Sequence, residues 1–182
     1  MSMYCQGHNF AGFAHPFGMV KLGPDLVDGT DSCSGYLPNG NFSGFSMMHE
    51  QGTGGAAKYG TVAQPPLIGN ISSPLSSITI GRIVPDQGSV GYYRAQTSEQ
   101  VVVELAATSR AGMYQYAFPA ISSQNNILVD VSHVLPSLRG WGLGQAYAGG
   151  HFSIRSDGSY EASGVYNNEW NRSPSCTIYS CK

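Results

Sequence analysis

The strongest constraint on this chain is its punctuation. Short runs with strand character recur from one end to the other, separated by clusters of Gly, Pro, Asn, Asp and Ser. The early runs are Pro16–Leu22, Thr61–Ile68, Ser76–Val84 and Val90–Thr97. Gln100–Thr108, Met113–Phe118 and Asn126–Val134 follow; Gly149–Ser156, Ser159–Tyr166 and Cys176–Cys181 end the series. No stretch keeps the i, i+3, i+4 helical template for more than about two turns. The pattern predicts an all-β chain: a mostly antiparallel β-sandwich formed by residues 1–182 as one domain, without internal repeat or linker.

Particular residues sharpen this expectation. "HFSIRSDGSYEASGVY" predicts a hairpin in which Asp157-Gly158 forms a type I′ turn, with positive φ at both residues. "VVVELAA" and "ILVDV" are apolar nearly throughout, with one carboxylate each (Glu104, Asp130), and read as strands of a buried layer between two sheets. Pro85–Gly88 and Ser109–Gly112 carry turn chemistry.

Composition agrees and excludes some functions. Charged residues make up only 11% of the chain, whereas there are 24 glycines and 11 tyrosines. Gly supplies positive φ and Tyr suits half-buried strands. A net charge of -2 with no basic run offers nothing to nucleic acid or an anionic membrane. No apolar run reaches spanning length, and the opening "MSMYCQGHNF" lacks the basic and apolar regions of a signal peptide.

Three Asn-x-Ser sequons, at Asn41, Asn70 and Asn171, point toward a secretory context, and Pro174 weakens the last. The four cysteines are Cys5, Cys33, Cys176 and Cys181, which allow three pairings. Cys176 and Cys181 lie five apart, so on one strand they face opposite sides and do not bridge locally.

The chemistry-bearing motifs thin out on inspection. "GFSMMHEQGTGG" (Gly44–Gly55) is rich in glycine, but it has neither the spacing nor the helix of a phosphate-binding loop. Position 53 is Thr53, so His49-Glu50 does not begin a zincin motif, and the five histidines show no metal-ligand spacing. No G-x-S-x-G occurs. What remains is an aromatic and neutral polar set, Trp141, Trp170, Tyr147 and Tyr166 beside Asn167, Asn168 and Asn171. Sugar rings stack on such aromatics while amides bond their hydroxyls, although ordinary sandwich packing uses the same residues.

Several stretches taken in order carry a resemblance. They are "GHNFAGFAHPFGMVKLGPDL", "SGYLPNGNFSGFSMMHEQGTGG", "VGYYRAQTSEQVVVELAATSRAGMYQYAFP", "NILVDVSH" and "GSYEASGVYNNEWNRSP". Together they resemble the N-terminal domain of glycoside hydrolase family 92 α-mannosidases, fungal members in particular. The resemblance implies a supersandwich-like domain that precedes an (α/α) barrel in secreted, calcium-dependent, inverting exo-enzymes acting on the α-mannosides of N-glycans. Inversion needs two carboxyl groups spaced to hold a water. The family's acid, base and calcium ligands lie mainly in the barrel, so the resemblance implies no catalytic residue and no metal or cofactor held by this chain itself. It further implies a chain cut short at both ends, whose partners are an α-mannosyl glycan and the missing barrel.

The resemblance implies a substrate-binding role at the pocket rim for His49, Glu50, Gly52, Thr53 and Gly54, with His49 facing the domain interface rather than the core. Where the family pattern has a histidine and a serine, this chain has Met47 and Gln51. A stand-alone module recognising mannose-type glycans, or a non-functional remnant, are the alternatives.

Overall fold

The computed structural model describes residues 14–27, 36–49, 60–136, 144–168 and 171–182, and their side chains except at 168 and 171–173. Among these residues there are twelve strands and no helix. The first four are β1 (Gly23–Leu26), β2 (Phe42–His49), β3 (Gly60–Ala63) and β4 (Pro66–Ile68). Then come β5 (Gln87–Ser89), β6 (Tyr92–Gln96), β7 (Val102–Ala107) and β8 (Gly112–Ala117). The last are β9 (Asn125–Ile127), β10 (Ala146–Ile154), β11 (Tyr160–Asn168) and β12 (Asn171–Cys181). They form four sheets, ordered β1-β2-β3, β4-β9, β5-β6-β7-β8 and β10-β11-β12, with antiparallel pairing throughout. The all-β expectation holds.

Two of these sheets share one core. Leu26, Phe42 and Phe45 from β1 and β2 meet Tyr93, Ala95, Val103 and Leu105 from β6 and β7. The side-chain period of two explains the selection. In β7, Val103 and Leu105 point inward while Val102 and Glu104 lie half-buried on the other face. The register lines up Tyr93, Leu105 and Tyr114 in one inward row and Ala95, Val103 and Tyr116 in the next. "VVVELAA" is therefore one-sided, not a strand buried on both faces. Its outward Glu104 instead faces Arg94 across the β6–β7 ladder, a favourable cross-strand pair.

Aromatic and ionic contacts close the sandwich at one end. Phe42 and Phe45 pack at 5.0 Å between ring centroids, and Phe42 exchanges both backbone hydrogen bonds with Ile80. The Arg82 guanidinium lies 4.5 Å over the Phe42 ring and 2.9 Å from the Asp86 carboxylate. Asp86 also accepts from Tyr93 at 2.6 Å and Tyr36 at 3.1 Å. Burial pushes the Asp86 pKa up, against the downward pull of Tyr93 and Arg82.

Several predicted strands are shorter or absent. Pro16–Leu22 begins as a turn: Gly18 N donates to His15 O, and Phe17 takes a φ of 59° behind Pro16. Val20 and Leu22 still reach the core from this irregular segment. Thr61–Ile68 is split at Gln64-Pro65 into β3 and β4. Ser76–Val84 contributes only the isolated bridges at Ile80 and Arg82, and Asn126–Val134 only the end of β9 and a bridge at Asp130. Gln87 and Gly88 lie in β5, so the turn falls later, at Val90-Gly91, with Gly91 at φ 75°.

The Asp157-Gly158 hairpin forms with a different turn. Gly158 N donates to Arg155 O, Arg155 N donates to Ser159 O, and Gly158 takes φ 83° while Asp157 stays negative. This is a three-residue loop with glycine at its left-handed position, not a two-residue type I′ turn. Asp157 Oδ1 accepts from both Ser159 N and Ser159 Oγ, which fixes the tip without a second positive φ. The turn expected at Ser109–Gly112 closes one residue earlier, over Thr108–Ala111, and Gly112 opens β8.

Truncating Phe45, which is 0% exposed, to alanine is expected to cost about 3–5 kcal/mol. Met113→Gln on the outward face of β8, at a residue 66% exposed, should stay within about 0.5 kcal/mol. Urea unfolding midpoints compare the two variants, and equal shifts would contradict the assignment of the core.

Candidate functional site

β1 is only four residues long, "GPDL", yet Asp25 at its third position is 0% exposed. Taking a carboxylate out of water costs several kcal/mol unless partners replace the lost hydration. Three side chains do so. His49 Nε2 lies 2.6 Å from Asp25 Oδ1, His133 Nε2 lies 2.9 Å from Oδ2, and Ser46 Oγ donates to Oδ2. His49 and Ser46 come from β2, whereas His133 comes from the segment following β9. The His133 approach is close but poorly aligned for a directed hydrogen bond, so it acts mainly as a charge contact.

Two glycines make the space. A Cβ on Gly60 would lie 2.6 Å from Asp25 Oδ1 and 2.9 Å from Leu135 Cδ1. A Cβ on Gly44 would meet the Ala63 Cβ at 2.9 Å. Any side chain at Gly60 would therefore displace the carboxylate from its partners. Two residues after Gly60 in β3, Val62 holds a φ of 58°, a strained conformation for a β-branched residue.

The hydrogen bonds of His49 fix its protons. Nδ1 lies 2.9 Å from Lys21 O, a group that can only accept, so Nδ1 carries a proton. Nε2 faces an ionised carboxylate and donates to it. Burial raises the Asp25 pKa, but His49 and then His133 outweigh it and hold the carboxyl well below the usual carboxylate range. For His133, burial lowers the pKa, and the charges of Asp25 and Asp130 outweigh it, so the net shift is upward. The cluster is thus a compensated ionic centre, in which Asp25 and His49 are buried and His133 is largely so.

His49 is therefore buried, with its side chain only 2% exposed, and the expectation that it faces a domain interface is corrected. Asp25 draws it inward. Gly44–His49 is the latter part of β2, and His49 pairs with Gly60 where β3 begins. Glu50, Gly52, Thr53 and Gly54, with Gln51, lie outside the described residues. The sequence reading did not single out Asp25, Ser46 or His133. Two signals were available: a lone aspartate in "KLGPDLV" and a lone histidine in "ILVDVSHV", each set in an apolar run.

The aromatic set divides. Tyr166 is 0% exposed, its hydroxyl donates to Val131 O, and its ring packs 5.8 Å from that of Tyr147. Gly150 and Gly164 pair directly between β10 and β11, and a Cβ on either would strike these tyrosines. Tyr147 and Tyr166 cover this glycine pair, and Tyr166, fully buried, offers no face to a sugar. Trp141 and Trp170 lie outside the described residues, as do the side chains of Asn168 and Asn171.

Open concave surface occurs elsewhere. A cleft of about 240 Å³ lies between β8 and the β10-β11-β12 sheet, bordered by Met47, Gln64, Met113, Tyr114 and Tyr160. Gln64 Nε2 donates to the Tyr160 hydroxyl at 2.9 Å, and Tyr116 donates to Gln64 O at 2.5 Å. A second cleft of about 390 Å³ shares Gln64, Ile127 and Tyr160 and adds the exposed Phe152 and Ile154. Cys176 and Cys181 on β12 are both free thiols. No group of three His, Cys, Asp or Glu among the described residues could hold a metal ion, and the Asp25 oxygens already face two imidazoles and a hydroxyl.

The described residues thus form an antiparallel all-β scaffold, a β-sandwich organised around a buried ionic cluster. A solved structure, that of the GH92 family glycosyl hydrolase CcMan5, shares the fold with a TM-score of 0.70 at 20% identity, over 96% of this chain and 24% of that one. A family model matches residues 3–182, and the chain belongs to the glycosyl hydrolase family 92 N-terminal domain family. A relative from Arthroderma benhamiae, named an uncharacterized secreted glycosidase, is 29% identical over 144 residues, 72% of this chain and 19% of the relative. The chain therefore spans about a fifth to a quarter of the length of these relatives.

Removing the buried charge tests the site. Asp25→Asn leaves two imidazoles without their counter-ion and is expected to cost about 3–5 kcal/mol. The pH dependence follows from the signs. The Asp25 contribution is present above its ordinary value of 3.8 and lost as pH falls below it. The raised His133 contributes fully below 6.5, and its contribution is lost as pH rises through its higher folded value. Urea midpoints should therefore be highest between these values and decline on the alkaline side, and His133→Gln should flatten that decline. A wild-type midpoint that keeps rising above 6.5 would contradict the assignment.

Proposed function

We propose that this chain is the N-terminal sandwich of an α-mannosidase acting on the α-mannosides of N-glycans. It packs against a catalytic barrel and lends residues to the sugar pocket, without catalysing hydrolysis alone. The observation that carries this reading is the family match over residues 3–182 in a chain that spans only 19% and 24% of its longer relatives. The apolar residues Met113, Phe152 and Ile154, exposed around the two clefts, support a packing role, since such a surface is costly to leave in water. In the parent protein the acid, the base and the calcium belong to the barrel. A secreted parent accords with the name of the Arthroderma relative.

The pocket role falls to the segment after β2. Glu50 and Thr53 would bond sugar hydroxyls, with backbone groups of Gly52 and Gly54 beside them, while His49 fixes the base of the segment from inside. The second reading, a stand-alone module binding mannose-type glycans, predicts a heat of binding when the chain is titrated with mannobiose; silence at millimolar sugar excludes it.

The leading reading is tested by activity. The chain alone, with calcium and an α-mannoside, should release no mannose, and the chain joined to a family 92 barrel should. In the joined protein, Thr53→Ala is expected to lower kcat/KM roughly two- to tenfold, the loss of one hydrogen bond of about 0.5–1.5 kcal/mol. Turnover by the pure chain would overturn the division of labour. An unchanged kcat/KM in Glu50→Ala and Thr53→Ala would overturn the pocket role.

A further inference from the structure

The three sequons differ in their backbone setting. Asn41-Phe42-Ser43 is built into the sandwich: Asn41 O accepts from Val27 N at 2.9 Å, and Phe42 is 0% exposed and paired on both sides of its peptide with Ile80. Asn171 pairs with Asn168 where β12 turns back along β11, and Pro174 follows. Asn70-Ile71-Ser72 lies outside every strand. It follows Gly69, whose φ of 87° turns the chain away from the end of β4. Gly69 is held on both sides, by its N–H to Gln124 O at 3.0 Å and by Asn126 Nδ2 to its carbonyl at 2.7 Å. Beyond this anchor the chain runs over the surface to Thr79, with Asn70, Ser72 and Ser73 exposed.

A glycosyl acceptor needs its asparagine amide and its serine hydroxyl reachable together, on backbone free to bend. Only the second sequon combines an exposed asparagine, an exposed serine and a loop among the described residues. Its neighbourhood also has apolar surface to cover. Asn70 borders a cleft of about 280 Å³ whose apolar lining includes Leu67, Ile71, Pro74 and Ile78, and Leu75 beside it is 94% exposed. That volume approaches the lower end of the small-ligand range, about 300 Å³, and suits one sugar ring at the mouth of the cleft.

We propose that Asn70 carries an N-linked glycan. In the transfer, an oligosaccharide passes as a block from a polyprenyl-pyrophosphate donor to the side-chain amide. The bond between sugar C1 and the pyrophosphate oxygen breaks, a bond from C1 to Asn70 Nδ2 forms, one Nδ2 proton is lost, and polyprenyl pyrophosphate leaves. The innermost sugar then sits over Ile71 and Pro74. This inference rests on the reading of a secreted parent protein, but on no part of its catalysis.

The test is translation of the whole chain behind a cleavable leader in the presence of endoplasmic-reticulum microsomes, scoring only the protease-protected product. The protected wild type should carry a glycan whose mobility step is lost in Asn70→Gln and in Ser72→Ala, and kept in Asn41→Gln and Asn171→Gln. Release by a glycan amidase should convert Asn70 to aspartate, located by peptide mass. Ser72→Ala leaves the asparagine itself intact, so a parallel loss in that variant ties the step to this sequon. A protected chain with no glycan at Asn70 would overturn the proposal. Because the leader is supplied, that result would leave the secretory reading of the parent untouched.

Discussion

The structure turns on one buried charge. Asp25 sits in a four-residue strand with none of its surface exposed, and the surrounding chain is arranged to make that tolerable. Its partners come from three places: Ser46 and His49 on β2, His133 after β9, and through His49 the carbonyl of Lys21. A charge compensated from so many directions is a poor source of net stability, because desolvation consumes much of the attraction. Removing any one partner, however, strands the rest. The cluster therefore makes the meeting of these segments obligatory, fixing which residues of β1, β2 and the 128–135 segment come together.

That constraint reaches outward through β2 and β3. Gly60 has no side chain because Asp25 and Leu135 occupy the space where one would stand. His49 is both a partner of Asp25 and the last residue of β2, paired with Gly60. The cluster thus sets the separation at which the chain leaves β2 and re-enters β3. The residues proposed to contact sugar lie between those two points in the sequence. The Arg82–Asp86 pair does comparable work at the other end of the core, beneath Phe42.

Much of the fold was legible because sheet formation writes a local signature. The inward alternation of Tyr93, Val103, Leu105 and Tyr116 can be read from the sequence once a strand is assumed, as can a turn between β7 and β8, to within one residue. The family resemblance was legible too, in motif order rather than in any single motif. The failures share a cause. Pro16–Leu22 and Ser76–Val84 have strand composition but find no strand partner over most of their length, and partnership is decided far away in sequence. His49 looked like a surface residue because Asp25, which draws it inward, lies 24 positions earlier. Tyr166 looked like a sugar platform because nothing local reveals that it is buried over a glycine pair.

The ionisation of Asp25 holds the cluster together. The direct measurement is the side-chain carboxyl carbon shift of Asp25 by NMR during acid titration of the folded chain. Asp25 should remain ionised well below its ordinary value of 3.8, until the protein itself unfolds. A carboxyl that titrates at or above 3.8 while the fold persists would contradict the buried ion cluster, and with it the structural role assigned to His49 and His133.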